Sequence, residues 1–222
     1  MTRIYFNDVV TRDGFQIEPN FIPTEDKVRL IDAMSQCGFA KIEVTSFTSP
    51  KAIPMLRDAE EVMGKIKRVA GVEYTVLVPN LRGAERALES RADEFNLVMS
   101  VSEAHNMANL KMGREDSFAA LSSVINLAHQ NKIAINISLS TSFGCPMTGI
   151  TSLENLMHWI DRFADAGVRG ITICDTTGMA NPSQVQAVCE AAQSTYPKLQ
   201  WTLHFHNTRG MGLANALAAV NS

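Results

Sequence analysis

The sequence predicts a (β/α)8 TIM barrel, in which parallel strands alternate with helices. Seven short runs rich in β-branched or aromatic residues alternate with stretches of helical periodicity, at a spacing of roughly thirty residues. The predicted strands are residues 4–8, 41–45, 73–78, 94–101, 133–140, 170–173 and 200–206. Because no linker or low-complexity segment interrupts the series, we expect residues 1–222 to form a single catalytic domain.

Apolar and polar residues alternate within these strands, and this alternation distinguishes a barrel from an open sheet covered by helices on both faces. The fifth predicted strand places Ile135 and Ile137 on one face, with Asn136 and Ser138 on the other. In a barrel the apolar face packs against the helices, and the polar face lines the interior that opens into an active site. An open sheet with one solvated face is the alternative.

Residues with capping chemistry mark the ends of the predicted helices. The predicted starts are Thr24, Asn80, Thr151 with Glu154 as a capping box, and Asn181 before Pro182, and the predicted stops are Gly38 and Gly167.

Charge and composition exclude several classes of protein. The net charge of -3 and the scattered Lys and Arg residues provide no basic surface for nucleic acid. No apolar run reaches the roughly 18 residues that a membrane span needs, and the first residues lack the apolar stretch of a signal peptide. We therefore expect a cytoplasmic protein without nucleic-acid or membrane partners.

The four cysteines are far apart in the sequence and form no CxxC pair, so we expect reduced thiols. Cys174 and Cys189 are expected in the core. Cys145, within the segment Gly-Cys-Pro, is expected in a shaped loop rather than as a reactive thiol, because no neighbouring cation would lower its pKa.

Polar side chains gather at the carboxyl ends of the predicted strands, where barrel enzymes place their chemistry. In chain order they are Arg12, Asp13, Gln16, Glu43, Asp175, His204 and His206. Glu43 lies in a strand between two apolar residues, and burying an unpaired charge there would be costly. A partner such as Arg12 is therefore expected.

His204 and His206 are separated by one residue on a strand, so their imidazoles point to the same side. Asp13 would face them, because the first and seventh strands lie two places apart around a closed ring of eight. Two imidazoles and one carboxylate suit Mg²⁺ or Mn²⁺, with Zn²⁺ as an alternative. The structural alternatives are a hydrogen-bonded histidine pair, an Arg12–Asp13 ion pair that stabilises a turn, and a loop at Asp175 held by Asp and Thr hydrogen bonds.

Six segments occur in the order found in a known family. They are residues 12–16 (RDGFQ), 42–51 (IEVTSFTSPK), 78–81 (VPNL), 144–146 (GCP), 175–178 (DTTG) and 203–208 (LHFHNT). Over essentially its whole length the chain resembles the hydroxymethylglutaryl-CoA lyase branch of the metal-dependent lyases and synthases that carry an Arg-Asp signature on a TIM barrel. The second segment is the most specific to this branch.

The resemblance implies that Asp13, His204 and His206 bind the divalent metal and that Arg12 is catalytic. The implied reaction is a retro-Claisen cleavage of a 3-hydroxy-3-methylglutaryl-CoA-like acyl-CoA to acetyl-CoA and acetoacetate. In this reaction Arg12 would stabilise the developing enolate, and His204 is the candidate base.

Glu43 and Asp175 match catalytic positions that orient the substrate, and Gln16 and Arg209 are expected to contact it. Arg209 stands where family members usually have Tyr, so it would favour a different acyl-CoA carboxylate. Other departures are Thr11 for Pro, Ile17 for Asn and Asn207 for Asp.

Two alternatives to a lyase stay open: a Claisen-type synthase or aldolase of the same superfamily, and a non-catalytic barrel relative. We expect an acyl-CoA as the small-molecule partner and a homodimer as the assembly. Because only seven strands are predicted, we also expect that a C-terminal part closing the barrel is missing from the printed sequence.

Overall fold

The computed structural model describes residues 3–222. They form two compact units: the first runs to Leu97 and includes Asn126–Ala134, and the second comprises Val98–Ile125 and Ile135–Ser222. None of the helices in residues 3–222 combines the length and apolar character that a bilayer crossing needs.

The first unit contains four parallel strands whose order in the sheet follows the chain. They are β1 (Asn7–Asp8), β2 (Lys41–Ser46), β3 (Glu73–Leu77) and β4 (Glu94–Ser100), the last of which continues into the second unit from Val98. Between them lie a π-helical turn (Val10–Gly14), α1 (Thr24–Met34), a 3-10 turn (Pro54–Leu56), α2 (Ala59–Lys65) and α3 (Leu81–Glu89).

The second unit continues the same order with parallel strands β5 (Ala134–Ser140), β8 (Gly170–Asp175) and β9 (Gln200–Phe205). Its helices are α4 (Glu103–Leu110), α5 (Arg114–Asn131), α6 (Leu153–Asp165), α7 (Pro182–Thr195) and α8 (Gly212–Val220), of which α5 passes back into the first unit at Asn126. A short antiparallel hairpin of β6 (Gly144–Cys145) and β7 (Gly149–Ile150) follows β5.

The central strands are buried on both faces. All residues of β8 are buried, and in β5 the polar Ser138 and Ser140 are buried as well as the apolar Ile137 and Leu139. A sheet with one solvated face would leave one of these two sets exposed, so that alternative is wrong for β5 and β8. The predicted alternation of parallel strands and helices is confirmed.

Six of the predicted strands agree with the observed ones to within two residues at either end. The first differs, because only Asn7 and Asp8 of residues 4–8 belong to a strand. These two residues pair with Lys41 and Ile42 of β2, whereas Ile4, Tyr5 and Phe6 are exposed. Phe6 makes one backbone bond, in which its carbonyl accepts the N–H of Ala40 at 2.9 Å, but β propensity alone does not extend the strand further. The hairpin of β6 and β7 was not predicted.

Two asparagines cap helices as predicted. The Oδ1 of Asn80 accepts a hydrogen bond from the N–H of Gly83 at 3.0 Å, and the Oδ1 of Asn181 accepts one from Gln184 at 3.0 Å. Pro182 occupies the first helical position of α7, which suits it because its missing N–H would have no intrahelical partner.

The two threonine caps were predicted wrongly, because tertiary partners compete for the hydroxyls. Thr24 is itself the first residue of α1, and its hydroxyl donates to Asp58 at 2.8 Å. The hydroxyl of Thr151 donates to the carbonyl of Thr141, and the neighbouring Ser152 caps α6 instead. The predicted helix ends agree better with the structure. Gly38 and Gly167 follow their helices with φ values of +85° and +88°.

A partly buried ion cluster joins the amino ends of β2, β3 and β4. The Nζ of Lys41 lies 2.5 Å from Oε2 of Glu94 and 3.0 Å from Oε2 of Glu73. Burial lowers the pKa of Lys41, but the two carboxylates more than offset this and raise it above its ordinary value. Burial raises the pKa of Glu94, although Lys41 opposes that rise. The cluster therefore ties three strands together through one lysine.

We expect Lys41→Met to lower the free energy of unfolding by about 3–5 kcal/mol near neutral pH, because it leaves the buried Glu94 carboxylate without its cation. A group with a raised folded-state pKa contributes stability that is lost as pH rises through that value. The deficit should therefore shrink on acidification, when Glu94 takes up a proton. Urea denaturation at several pH values measures both effects.

The matched control is Arg29→Met, which removes an exposed ion pair with Asp26 and should change the unfolding free energy by less than about 1 kcal/mol. Equal changes in the unfolding free energy for the two substitutions would show that the Lys41 cluster contributes no more stability than an exposed ion pair.

Candidate active site

In the first unit, a π-helical turn directly after β1 carries Arg12 and Asp13. The N–H of Asp13 donates to the carbonyl of Val9 at 2.7 Å, and the carboxylate of Asp8 accepts the N–H of Val10 at 2.9 Å. Single π-helical turns are rare and occur often at functional sites. This one places two charged residues in succession at the carboxyl end of a strand.

Arg12 is held by two carboxylates. Its Nε lies 2.6 Å from Oε2 of Glu43, and its Nη1 lies 2.7 Å from Oδ1 of Asp13. Glu43 is only 3% exposed, and its second oxygen accepts a hydrogen bond from Nδ2 of Asn96 at 2.7 Å. The prediction that Glu43 requires Arg12 as a partner is confirmed.

The ion pair between Arg12 and Asp13, predicted as the structural alternative to a metal ligand, is present. Gln16 also donates to Oδ1 of Asp13, at 3.3 Å. A carboxylate has two oxygens with about four lone-pair directions, so these bonds are compatible with a ligand role for Asp13.

Asn96 of β4 was not singled out from the sequence. Its amide completes the hydrogen bonding of the buried Glu43, so it belongs to the same polar cluster. The available signal is a polar residue between the apolar Phe95 and Leu97, which needs a partner when it is buried.

In the second unit, β9 presents the two histidines on the same side, as predicted. The rings of His204 and His206 lie parallel, with centroids 4.9 Å apart and an interplanar angle of 17°. Both residues are half-buried. The N–H of His206 lies 3.4 Å from the carbonyl oxygen of Asp175 on β8, so the backbone of β8 helps to fix this end of β9.

Asp175 is the last residue of β8 and is 1% exposed. Its Oδ1 accepts hydrogen bonds from the N–H groups of Met179 at 2.8 Å and Ala180 at 3.1 Å. The predicted alternative, a loop held by Asp and Thr hydrogen bonds, is therefore present. Its Oδ2 is buried and has no hydrogen-bond partner among residues 3–222. One oxygen thus shapes the loop, and the other is available to a further donor.

The segment after β9 carries two of the four departures from the family pattern. Asn207 accepts the N–H of Gly212 through its side-chain oxygen at 2.9 Å, where α8 begins. Arg209 is exposed in the same segment. An asparagine at position 207 therefore has a structural function here, whereas Arg209 presents its charge to solvent.

The Cys145 thiol differs from the expectation. Burial raises its pKa, but hydrogen bonds from Ser102, Met147 and Thr148 outweigh burial, and the pKa lies below its ordinary value. The N–H of Met147 lies 3.4 Å from the sulfur. The expectation considered only a cation as a group that could lower this pKa, whereas hydrogen-bond donors lower it instead.

The other cysteines behave as expected. Cys174 and Cys189 are buried, Cys37 is exposed, and all four cysteines are free thiols. Burial raises the pKa of Cys189 to about 11, as expected for a thiol in an apolar core.

The chain is similar to known proteins over nearly its whole length. Residues 3–222 match the HMGL-like family. The chain is 41% identical to the hydroxymethylglutaryl-CoA lyase YngG of Bacillus subtilis, covering 98% of this chain and 73% of that protein. It is 33% identical to the mitochondrial hydroxymethylglutaryl-CoA lyase of Homo sapiens, covering 98% of this chain and 67% of that protein.

Among solved structures, an HMG-CoA lyase from Acinetobacter baumannii in complex with coenzyme A and 3-methylmalate matches with a TM-score of 0.95 and 45% identity. The match covers 100% of this chain and 73% of that one. The predicted barrel class and the predicted resemblance are both confirmed. With its parallel βα units and this degree of similarity over its length, the chain belongs to the HMGL-like family.

Proposed function

We propose that this chain carries the catalytic barrel of a divalent-metal-dependent carbon–carbon lyase. Its substrate would be 3-hydroxy-3-methylglutaryl-CoA or a close acyl-CoA analogue, and its products would be acetyl-CoA and acetoacetate or a related keto acid. Membership of the HMGL-like family carries the proposal. The ligands of the Acinetobacter relative, coenzyme A and a hydroxy dicarboxylate, support an acyl-CoA substrate with a distal carboxylate.

Asp13, His204 and His206 are the proposed metal ligands. Each is half-buried and offers one carboxylate oxygen or one imidazole nitrogen. The donor set fits a hard or borderline divalent ion with positions left open for substrate, so Mg²⁺ and Mn²⁺ are the first candidates and Zn²⁺ the alternative. When bound, such an ion would acidify the substrate hydroxyl and neutralise charge on neighbouring oxygens.

Arg12 is the proposed catalytic cation. Cleavage of the carbon–carbon bond leaves an electron pair on the thioester fragment, and an enolate oxygen becomes negative. A guanidinium keeps its charge at all relevant pH values. The bonds from Arg12 to Glu43 and Asp13 hold it in place before the charge develops, as preorganised electrostatic stabilisation requires. Glu43 would thus act by orienting Arg12.

His204 was predicted to serve both as a metal ligand and as the base, but these roles compete. A ligating imidazole has no second lone pair for a proton. We therefore assign His204 to the metal and name Asp175 as the candidate proton acceptor, because its Oδ2 lacks a partner within residues 3–222. Gln16 is proposed to contact the substrate, and the exposed Arg209 to pair with its distal carboxylate. The homodimer and the cytoplasmic location stay predictions.

Incubation of the purified protein with hydroxymethylglutaryl-CoA and Mg²⁺ or Mn²⁺ should yield acetyl-CoA and acetoacetate, detected by mass spectrometry. Omission of the metal with chelator present should abolish product. A second incubation supplies acetyl-CoA and a keto acid instead. Condensation of these two, without cleavage of hydroxymethylglutaryl-CoA in the first incubation, would favour the synthase alternative. Absence of both reactions would favour a non-catalytic relative.

The double substitution of His204→Ala and His206→Ala should abolish binding of Mn²⁺ in calorimetric titration, because two of three ligands are lost. His129→Ala, an exposed histidine in the last turn of α5, is the control and should bind Mn²⁺ like the wild type. Unchanged affinity in the double variant would show that the metal binds elsewhere.

Arg12→Gln should lower kcat by about a hundredfold or more, because it removes a contact made to charge in the transition state. Stopped assays over a range of substrate concentrations separate kcat from KM. A loss confined to KM would instead identify Arg12 as a residue that binds the ground state.

A further inference from the structure

Asn215 is a buried residue of α8 that contacts the loop following β8. It is fully buried, and its Nδ2 donates a hydrogen bond to the carbonyl of Ala180 at 3.2 Å. Ala180 lies in residues 176–181, which we call the β8–α7 loop. The same residue donates its N–H to Oδ1 of Asp175. Ala180 is thus held from both sides, by Asp175 through its N–H and by Asn215 through its carbonyl.

The β8–α7 loop is also fastened to the segment after β9. Gly178 has a φ of +64°, and a Cβ added there would lie 2.7 Å from Cβ of Thr208. Only glycine therefore permits this close approach without movement of Thr208. With the loop packed this tightly, the hydrogen bond from Asn215 acts on a backbone that has little room to adjust.

The side chain of Asn215 is only half satisfied. Its Oδ1 is buried and has no hydrogen-bond partner in the part of the chain that the structure describes. A buried acceptor without a partner costs stability, so a leucine of similar shape would suit the core at this position better. The hydrogen bond that its Nδ2 donates is therefore the feature that explains an asparagine at this position.

We propose that Asn215 is a positioning residue that acts through Asp175, an inference that rests on the proposed lyase function. Its bond to the Ala180 carbonyl restrains the residue whose N–H, together with that of Met179, holds Oδ1 of Asp175. This sets the direction of the Asp175 carboxylate and keeps Oδ2 in place for the substrate. Without that bond the loop would keep its packing, but the carboxylate would sample more than one orientation.

The test is a double-mutant cycle between Asn215→Leu and Asp175→Asn. Asn215→Leu should lower kcat about tenfold or more with little change in KM, because Asn215 does not touch the substrate and small misplacement of a reacting group is costly. The midpoint of thermal unfolding should stay the same or rise. In the Asp175→Asn background, Asn215→Leu should have no further effect on kcat.

Asn106→Leu provides the matched control, because Asn106 is also a fully buried asparagine of the second unit. Its side chain bonds Ser100, Met112 and Ser117, so its loss should lower the unfolding midpoint. Any effect of Asn106→Leu on kcat should add to that of Asp175→Asn. An additive effect of Asn215→Leu, or wild-type kcat in that variant, would overturn the inference.

Hydrogen exchange provides a readout that does not depend on lyase activity. In Asn215→Leu the amides of Met179 and Ala180 should exchange faster than in the wild type, while those of β5 and β8 stay protected. If these amides exchange faster but the wild type has no lyase activity, the proposed function fails and the loop contact stands. Unchanged exchange at both amides would refute the positioning role itself.

Discussion

The ion pair between Glu43 and Arg12 is the contact on which the rest of the first unit's polar cluster depends. Glu43 lies in a strand buried on both sides, where an uncompensated carboxylate would be strongly destabilising. Arg12 neutralises it and Asn96 saturates its second oxygen. Arg12 also bonds Asp13. The need to neutralise Glu43 therefore orients both Arg12 and Asp13 in the turn that precedes β2.

In the second unit, backbone N–H groups rather than a cation stabilise the buried carboxylate of Asp175. Asp175 receives two N–H groups from the loop that follows it, and the same strand end bonds the backbone of His206. The loop, the histidine strand and α8 are therefore fixed to one another by hydrogen bonds within this unit. The proposed chemistry uses this rigidity, because an acid–base or ligand group must be held before the substrate arrives.

The errors in the predictions from sequence share one physical origin. Asn80 and Asn181 were identified correctly as caps because an asparagine before a helix bonds locally. The predicted caps at Thr24 and Thr151 failed because residues outside their helices, Asp58 and Thr141, lie close enough to accept their hydroxyl hydrogen bonds. The lowered pKa of Cys145 was likewise not predicted, since part of the hydrogen bonding to its sulfur comes from Ser102.

The sequence by itself determined the parallel βα order, the family, the requirement for a partner to Glu43 and the shared orientation of His204 and His206. These follow from hydrophobic period, from the alternation of side chains along a strand and from the cost of burying a charge. Only the tertiary structure revealed Asn96 beside Glu43, the Asp175 oxygen that has no partner within residues 3–222, and the bond from Asn215 to Ala180. Such contacts join residues far apart in the chain, and no local pattern specifies which buried polar groups will meet.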